Sequence, residues 1–276
     1  MTLRNYDVLG RKEDVKAVLS LIQRDSPYFK RDRAEPDFYI VVGGDGVITY
    51  GRDREKLISG KPVLRVRYRS KNGPTGKKSL GFTADVALND LGKALDDIVE
   101  SRYSTDEKAY LLDCFIDSEK KGTAIYDLVV ETSAKFSSML FKAVVHQKNG
   151  REQKLTNPQC DKILVSTKYG SPAWGLSAGG AINVSADNCL QVFYVEASIV
   201  QSKYLITTDD VLQLEILRKA AIGFDGRSKL CRADTGSTLS ITGSKDYIKL
   251  LRTDNTYEDI LSKIKRQQEF MLNSVA

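Results

Sequence analysis

Two stretches of this 276-residue chain carry residue types that could do chemistry. The first is Val41-Val42-Gly43-Gly44-Asp45-Gly46. Glycines after an apolar run give the backbone conformations barred to other residues and let a ligand come close. N–H groups exposed in such a turn bind phosphate oxygens. A carboxylate there, Asp45, could accept a proton from an attacking hydroxyl or help to hold a metal. Phosphoryl transfer asks mainly for positioning and charge stabilisation, so one carboxylate and a phosphate cradle are a workable minimum. An ordinary strand-to-helix turn with a solvated Asp45 fits the tetrapeptide equally well. The second stretch, Ser166 to Gly180, is a run of small and hydroxyl residues around Trp174, of a kind that can wrap a nucleotide.

Other candidate groups carry less. Gly43 to Thr49 misses the GxGxxG dinucleotide fingerprint, because Thr49 stands at the last glycine position. Gly73 to Ser79 resembles a Walker A loop, but its glycines are too close together. It reads better as a basic surface loop, or else as a lid whose Lys77 or Lys78 touches triphosphate. His146 is the only histidine and lies in an alternating, strand-like run, so a structural role is favoured and His₂ or His₃ metal sites are excluded. Cys114, Cys160, Cys189 and Cys231 form no CxxC pair and read as reduced thiols of a cytoplasmic protein.

The elements that must position these groups fall into two patterns. Val15, Val18, Leu19 and Ile22 recur at helical spacing over residues 11–24. Phe38 to Val42 is an unbroken apolar run, as in a parallel strand buried on both faces. A short helix over 52–59, a strand over 62–68 and a helix from Asn89 or Asp90 complete an alternation of strand and helix. That favours an α/β N-terminal domain with a parallel sheet over residues 1–102. Strand-like segments then follow one another at 110–116, 124–131, 138–146, 162–166, 191–196, 211–217 and 238–242. They predict a β-rich, sandwich-like C-terminal domain over 103–254. A last helix, about 255–272, is expected to pack back on the first domain.

Composition bounds the partners. The formal net charge is +6, from 42 basic and 36 acidic residues, and the basic residues are scattered. Polyanionic small molecules fit that better than nucleic acid. No run approaches the roughly 18 apolar residues that span a bilayer, and no membrane partner is expected.

The motifs together give a specific resemblance. In chain order, residues 38–46, Leu80-Gly81-Phe82, Arg102-Tyr103, Asp127-Leu128-Val129-Val130, Asp161 to Gly180 and Asp225-Gly226 resemble segments of the NAD kinase family. That family belongs to the GGDG superfamily with diacylglycerol kinases and phosphofructokinases. The resemblance implies the NAD kinase/diacylglycerol kinase-like fold and transfer of the ATP γ-phosphoryl group to the 2′-hydroxyl of NAD, with Mg²⁺ accompanying ATP. It implies Asp45 as the catalytic base, Gly43, Gly44 and Gly46 at the nucleotide phosphates, and Phe82 near the adenine. For NAD it implies Asp161, Thr167, Ala173 and Ser177, with Trp174 where a Tyr is usual. Tyr126 and Asp127 replace the family's Asn-Glu pair, and Pro172 replaces a Thr, at positions that face NAD. Lys162 replaces the Gly after Asp161. No protein-derived metal site is implied. ATP or polyphosphate could be the donor, and a homodimer or homotetramer is expected. The departures keep two alternatives open: a GGDG-type kinase with a nucleoside or lipid acceptor, and a non-catalytic dinucleotide-binding relative.

Overall fold

The structure is a computed structural model that describes residues 4–25, 27–43, 54–58, 60–68, 84–134, 136–184, 188–198, 203–226, 231–256, 262–263 and 265. The chain divides into two compact units, Met1–Lys108 with Ile248–Ala276, and Ala109–Tyr247.

The first unit opens with strand β1 (Asn5–Gly10), helix α1 (Lys12–Asp25), the short β2 (Lys30–Arg31) and β3 (Phe38–Val42). Helix α2 (Arg54–Leu57), β4 (Val63–Arg67), β5 (Val86–Ala87), helix α3 (Leu91–Val99) and β6 (Tyr103–Ser104) follow. The sheet order is β2-β1-β3-β4-β5, and every pair is parallel. All five residues of β3 are buried, which is why its sequence is apolar without alternation. Val18 and Ile22 of α1, and Leu91, Ala94, Leu95 and Ile98 of α3, enter the same core. Asp90 stands at the N-cap of α3 without a side-chain cap bond; its carboxylate lies 3.4 Å from Lys93 Nζ instead.

The returning C-terminal segment is tied in by charge. Arg65 Nε and Nη2 donate to both oxygens of the buried Asp85 at 2.9 and 3.0 Å. Lys263 Nζ donates to the same carboxylate at 3.0 Å, and Arg252 donates to it as well. Arg252 also reaches Glu107 at 2.8 Å. Asn255 closes onto the Asp97 carboxylate of α3 through its backbone N–H (3.0 Å) and its side-chain amide (2.6 Å).

The second unit contains β7 (Lys108–Ile116), β8 (Glu119–Ala124), β9 (Asp127–Thr132), β10 (Phe141–His146), β11 (Glu152–Lys154) and β12 (Lys162–Ser166). It continues with β13 (Cys189–Val195), β14 (Lys203–Thr207), β15 (Val211–Ile216), β16 (Ala220–Phe224), β17 (Cys231–Ala233) and β18 (Thr238–Lys249). Two six-stranded sheets form, ordered β11-β10-β15-β18-β7-β8 and β14-β13-β12-β9-β16-β17. Both feed one core, with Leu112, Val145, Leu214 and Ile241 from the first and Leu128, Val130, Val165 and Ile222 from the second. A sheet must bury an apolar face, and two inner faces here bury each other. His146 lies on β10 beside Gln213 and Glu152. Among the described residues, no helix is long and apolar enough to cross a membrane.

Candidate functional site

In the first unit, the strand order reverses between β1 and β3. Open parallel sheets bind ligands beyond the carboxyl ends of strands at such a point. The two backbones crowd there: a Cβ on Gly10 would stand 2.6 Å from the Val42 carbonyl oxygen. Only glycine fits beside that carbonyl. Gly43 follows β3 with φ 141°, and its N–H donates to Val66 O at 3.0 Å. A positive φ of that size suits glycine. Gly44, Asp45, Gly46 and Phe82 lie outside the described residues.

In the second unit, Thr167 begins the loop after β12. Its N–H donates to Tyr126 O (2.8 Å) and its hydroxyl to Ile125 O (2.9 Å). The same hydroxyl accepts from the Gly170 N–H at 3.1 Å. Pro172 is buried in the single turn Ser171–Gly175. Within that turn, Ala173 adopts φ −94°, ψ −113°, outside the helical region. The return is pinned by Gly180 N–H to Gly175 O (2.7 Å) and by two Gln191 side-chain bonds to Ala181 (2.6 and 3.2 Å). Lys203 donates to Gly179 O. Ala178 packs on Val129, Leu164 and Phe193 of the outer sheet face. Trp174 and Ser177 stay exposed on this fixed frame.

Gly170 is the tightest point. A Cβ there would stand 2.2 Å from Tyr126 O and 2.7 Å from Asp127 Oδ1. Gly170→Ala is therefore expected to destabilise the protein by about 1–3 kcal/mol, read as a lower urea midpoint, because backbone on both sides must shift.

The sequence-predicted residues separate into two groups. Tyr126, Asp127 and Thr167 gather where β9 begins and β12 ends, and all three are buried. Asp161 precedes β12, a five-residue strand away, and is exposed. The loop folds back toward that end: the Lys162 ammonium lies 5.9 Å from the centre of the Trp174 ring. Lys162 also pairs with Glu131 at 3.2 Å. A cavity of about 390 Å³ opens beside Asp161 and Lys162, lined further by Thr132, Ser137 and the exposed Phe136.

Two further buried residues, one opening the Ser166–Gly180 run and one in the Asp225-Gly226 turn, hold this corner together. Ser166 donates to the Asp127 carboxylate. Asp225 adopts φ 53°, and its carboxylate accepts the N–H groups of Ile125 (3.0 Å), Tyr126 (2.7 Å) and Asp127 (3.3 Å). The Asp225-Gly226 pair signals a turn in sequence; nothing in sequence signals its reach across to β9. Among the described residues, no three His, Cys, Asp or Glu side chains gather to hold a metal.

No protein-family model matches the chain. A protein from Petrotoga mobilis named NAD kinase is 28% identical over 233 residues, 82% of this chain and 78% of that protein. An NAD kinase from Archaeoglobus fulgidus, solved in complex with ATP, superposes with a TM-score of 0.70 at 17% identity. It covers 95% of this chain and 99% of its own. The yeast NADH kinase complexed with NADH gives a TM-score of 0.74 at 14% identity, over 98% of this chain and 88% of its own.

Proposed function

We infer that the chain belongs to the NAD kinase family and transfers the γ-phosphoryl group of ATP to the adenosine ribose 2′-hydroxyl of NAD, giving NADP. The observation that carries this is the match to a protein named NAD kinase at 28% identity across 82% of the chain. The shared fold, with an order reversal at the β1 and β3 ends just before Gly43-Gly44-Asp45-Gly46, supports it.

In this reading, Asp45 takes the proton of the attacking hydroxyl. Backbone N–H groups at Gly43, Gly44 and Gly46 meet phosphate oxygens, and Phe82 lies against the adenine. Mg²⁺ enters with the substrate triphosphate and shields its charge. The 166–180 loop holds the dinucleotide. Its Thr167, Pro172 and Ala173 shape the frame, Ser177 offers a hydroxyl, and Trp174 offers an aromatic face for stacking. Asp161 supplies a carboxylate to NAD, and Tyr126 and Asp127 stand where the family faces it. The protein works in the cytoplasm as a homodimer or homotetramer, which sedimentation checks.

Purified protein given ATP, Mg²⁺ and NAD should form NADP, and polyphosphate in place of ATP tests the donor. Absence of NADP with every donor, while labelled phosphate appears on another nucleoside or a lipid, would move the assignment to a different acceptor.

A further inference from the structure

The Asp127 carboxyl is built into the floor of the loop rather than presented to a cleft. Only 5% of the residue is exposed, and Ser166 donates to its Oδ1. The loop then closes over the pair. A Cβ on Gly170 would stand 2.7 Å from Asp127 Oδ1, and one on Gly175 would stand 3.0 Å from Ser166 Oγ. The Asp127 peptide is itself clamped, through its N–H to the Asp225 carboxylate and through its carbonyl to the Asp225 N–H at 2.8 Å. Glycines at 170 and 175 leave no side chain between the loop backbone and the bonded pair. A change in that pair is therefore felt directly by the segment carrying Trp174.

We propose that Asp127 and Ser166 form a proton-sensitive latch beneath the 166–180 loop, a positioning device that sets how tightly the loop holds its dinucleotide. The proposal rests on the dinucleotide-binding reading above and gives Asp127 a role beneath the ligand.

The groups around the latch define its response. The turn after β16 brings the Asp225 carboxylate, β12 brings the Ser166 hydroxyl, and the loop brings the Thr167 hydroxyl. The Tyr126 phenol belongs to the neighbouring residue on β9's N-terminal side. Among the described residues, the side chains acting on the Asp127 carboxyl are the Ser166 hydroxyl and the Asp225 carboxylate. Burial pushes the Asp127 carboxyl up to about 7 and Asp225 adds to this, while the bond from Ser166 works in the opposite direction. Below that pH the carboxyl is neutral. Above it, a second anion must be held beside Asp225 under a closed loop, and the loop relaxes.

Trp174 is the only tryptophan of the chain, so its emission reports on the loop without any substrate. In the full chain, a pH titration of Trp174 emission should show a transition centred near 7. Asp127→Asn, which keeps an acceptor for Ser166 but cannot ionise, should abolish it. His146→Gln, which removes the only histidine, should leave it in place. Ser166→Ala should move the midpoint upward, and serves as the second variant if Asp127→Asn does not fold. By calorimetry, NAD should bind about fivefold more weakly at alkaline than at acid pH in the wild type, and independently of pH in Asp127→Asn. Flat wild-type emission across the neutral range, or a transition that persists in Asp127→Asn, would overturn the latch. A protein that never binds NAD yet shows the transition and its loss in Asp127→Asn would instead overturn the dinucleotide reading and leave the pH-responsive loop standing.

Discussion

Asp45→Asn yields a folded protein whose rate of NADP formation is lower by about 10²–10⁴-fold, the usual contribution of a positioned general base. The amide is nearly the same size and keeps a hydrogen-bond acceptor, but it cannot take the proton of the 2′-hydroxyl. In the proposed reaction the other contributions, positioning and charge neutralisation, do not depend on this proton transfer and would remain. The loss should fall on kcat and on kcat/KM together, since the missing interaction is made in the transition state. A steady-state assay of NADP with circular dichroism as the folding control measures it. A variant within tenfold of wild type would remove Asp45 as the base.

Asp85→Ala should lower the stability of the protein by about 3–5 kcal/mol, because it leaves buried cations without their counter-charge. Three cations converge on this one buried carboxylate: Arg65, Arg252 and Lys263. Burial alone would raise the Asp85 carboxyl; Arg65, then Arg252 and Lys263, outweigh it and hold the group well below the usual carboxylate range. Lys263 gains less. Burial lowers it, and Arg65 and Arg252 repel it, against the pull of Asp85. The cluster therefore depends on its anion far more than on its third cation. Lys263→Met, which keeps the apolar stem, should change the stability by less than about 1.5 kcal/mol. The sign with pH follows from the depressed carboxyl. Its stabilisation is fully present above the unfolded value near 4 and fades as pH falls toward the folded value. Urea melts of wild type and Asp85→Asn should thus differ most at neutral pH and converge in acid. Equal losses from Asp85→Ala and Lys263→Met would contradict this account.

The sequence pattern was informative wherever one physical constraint acted alone. The run Phe38–Val42 reads as a buried parallel strand because both its faces are covered, and β3 has those bounds. Lys162–Ser166 likewise reads and folds as a strand between turn residues. Ala220–Phe224 was not legible. Its Ala220, Ala221 and Gly223 have little preference for extended structure, and pairing with β9 makes the strand. The polar Gly243-Ser244-Lys245-Asp246 reads as an end to pairing at 242, yet β18 runs to Lys249. There Gly243 N–H donates to Thr208 O and Ser244 Oγ to Asp113, contacts over long sequence separation. The same limit applies at the site. A carboxylate opening a strand looks like a ligand-binding group. That Asp127 is buried follows from Ser166, 39 residues on, and from Asp225, 98 residues on. Gly10 gave no motif, because its role depends on a carbonyl of β3.

The first unit is interrupted by the second, and this has a bearing on synthesis. Residues 109–247 can complete their own two sheets as soon as they emerge from the ribosome. The N-terminal unit cannot close until the chain beyond 248 arrives with Leu251, Arg252 and Lys263. Its oldest segment thus waits longest with an incomplete interior.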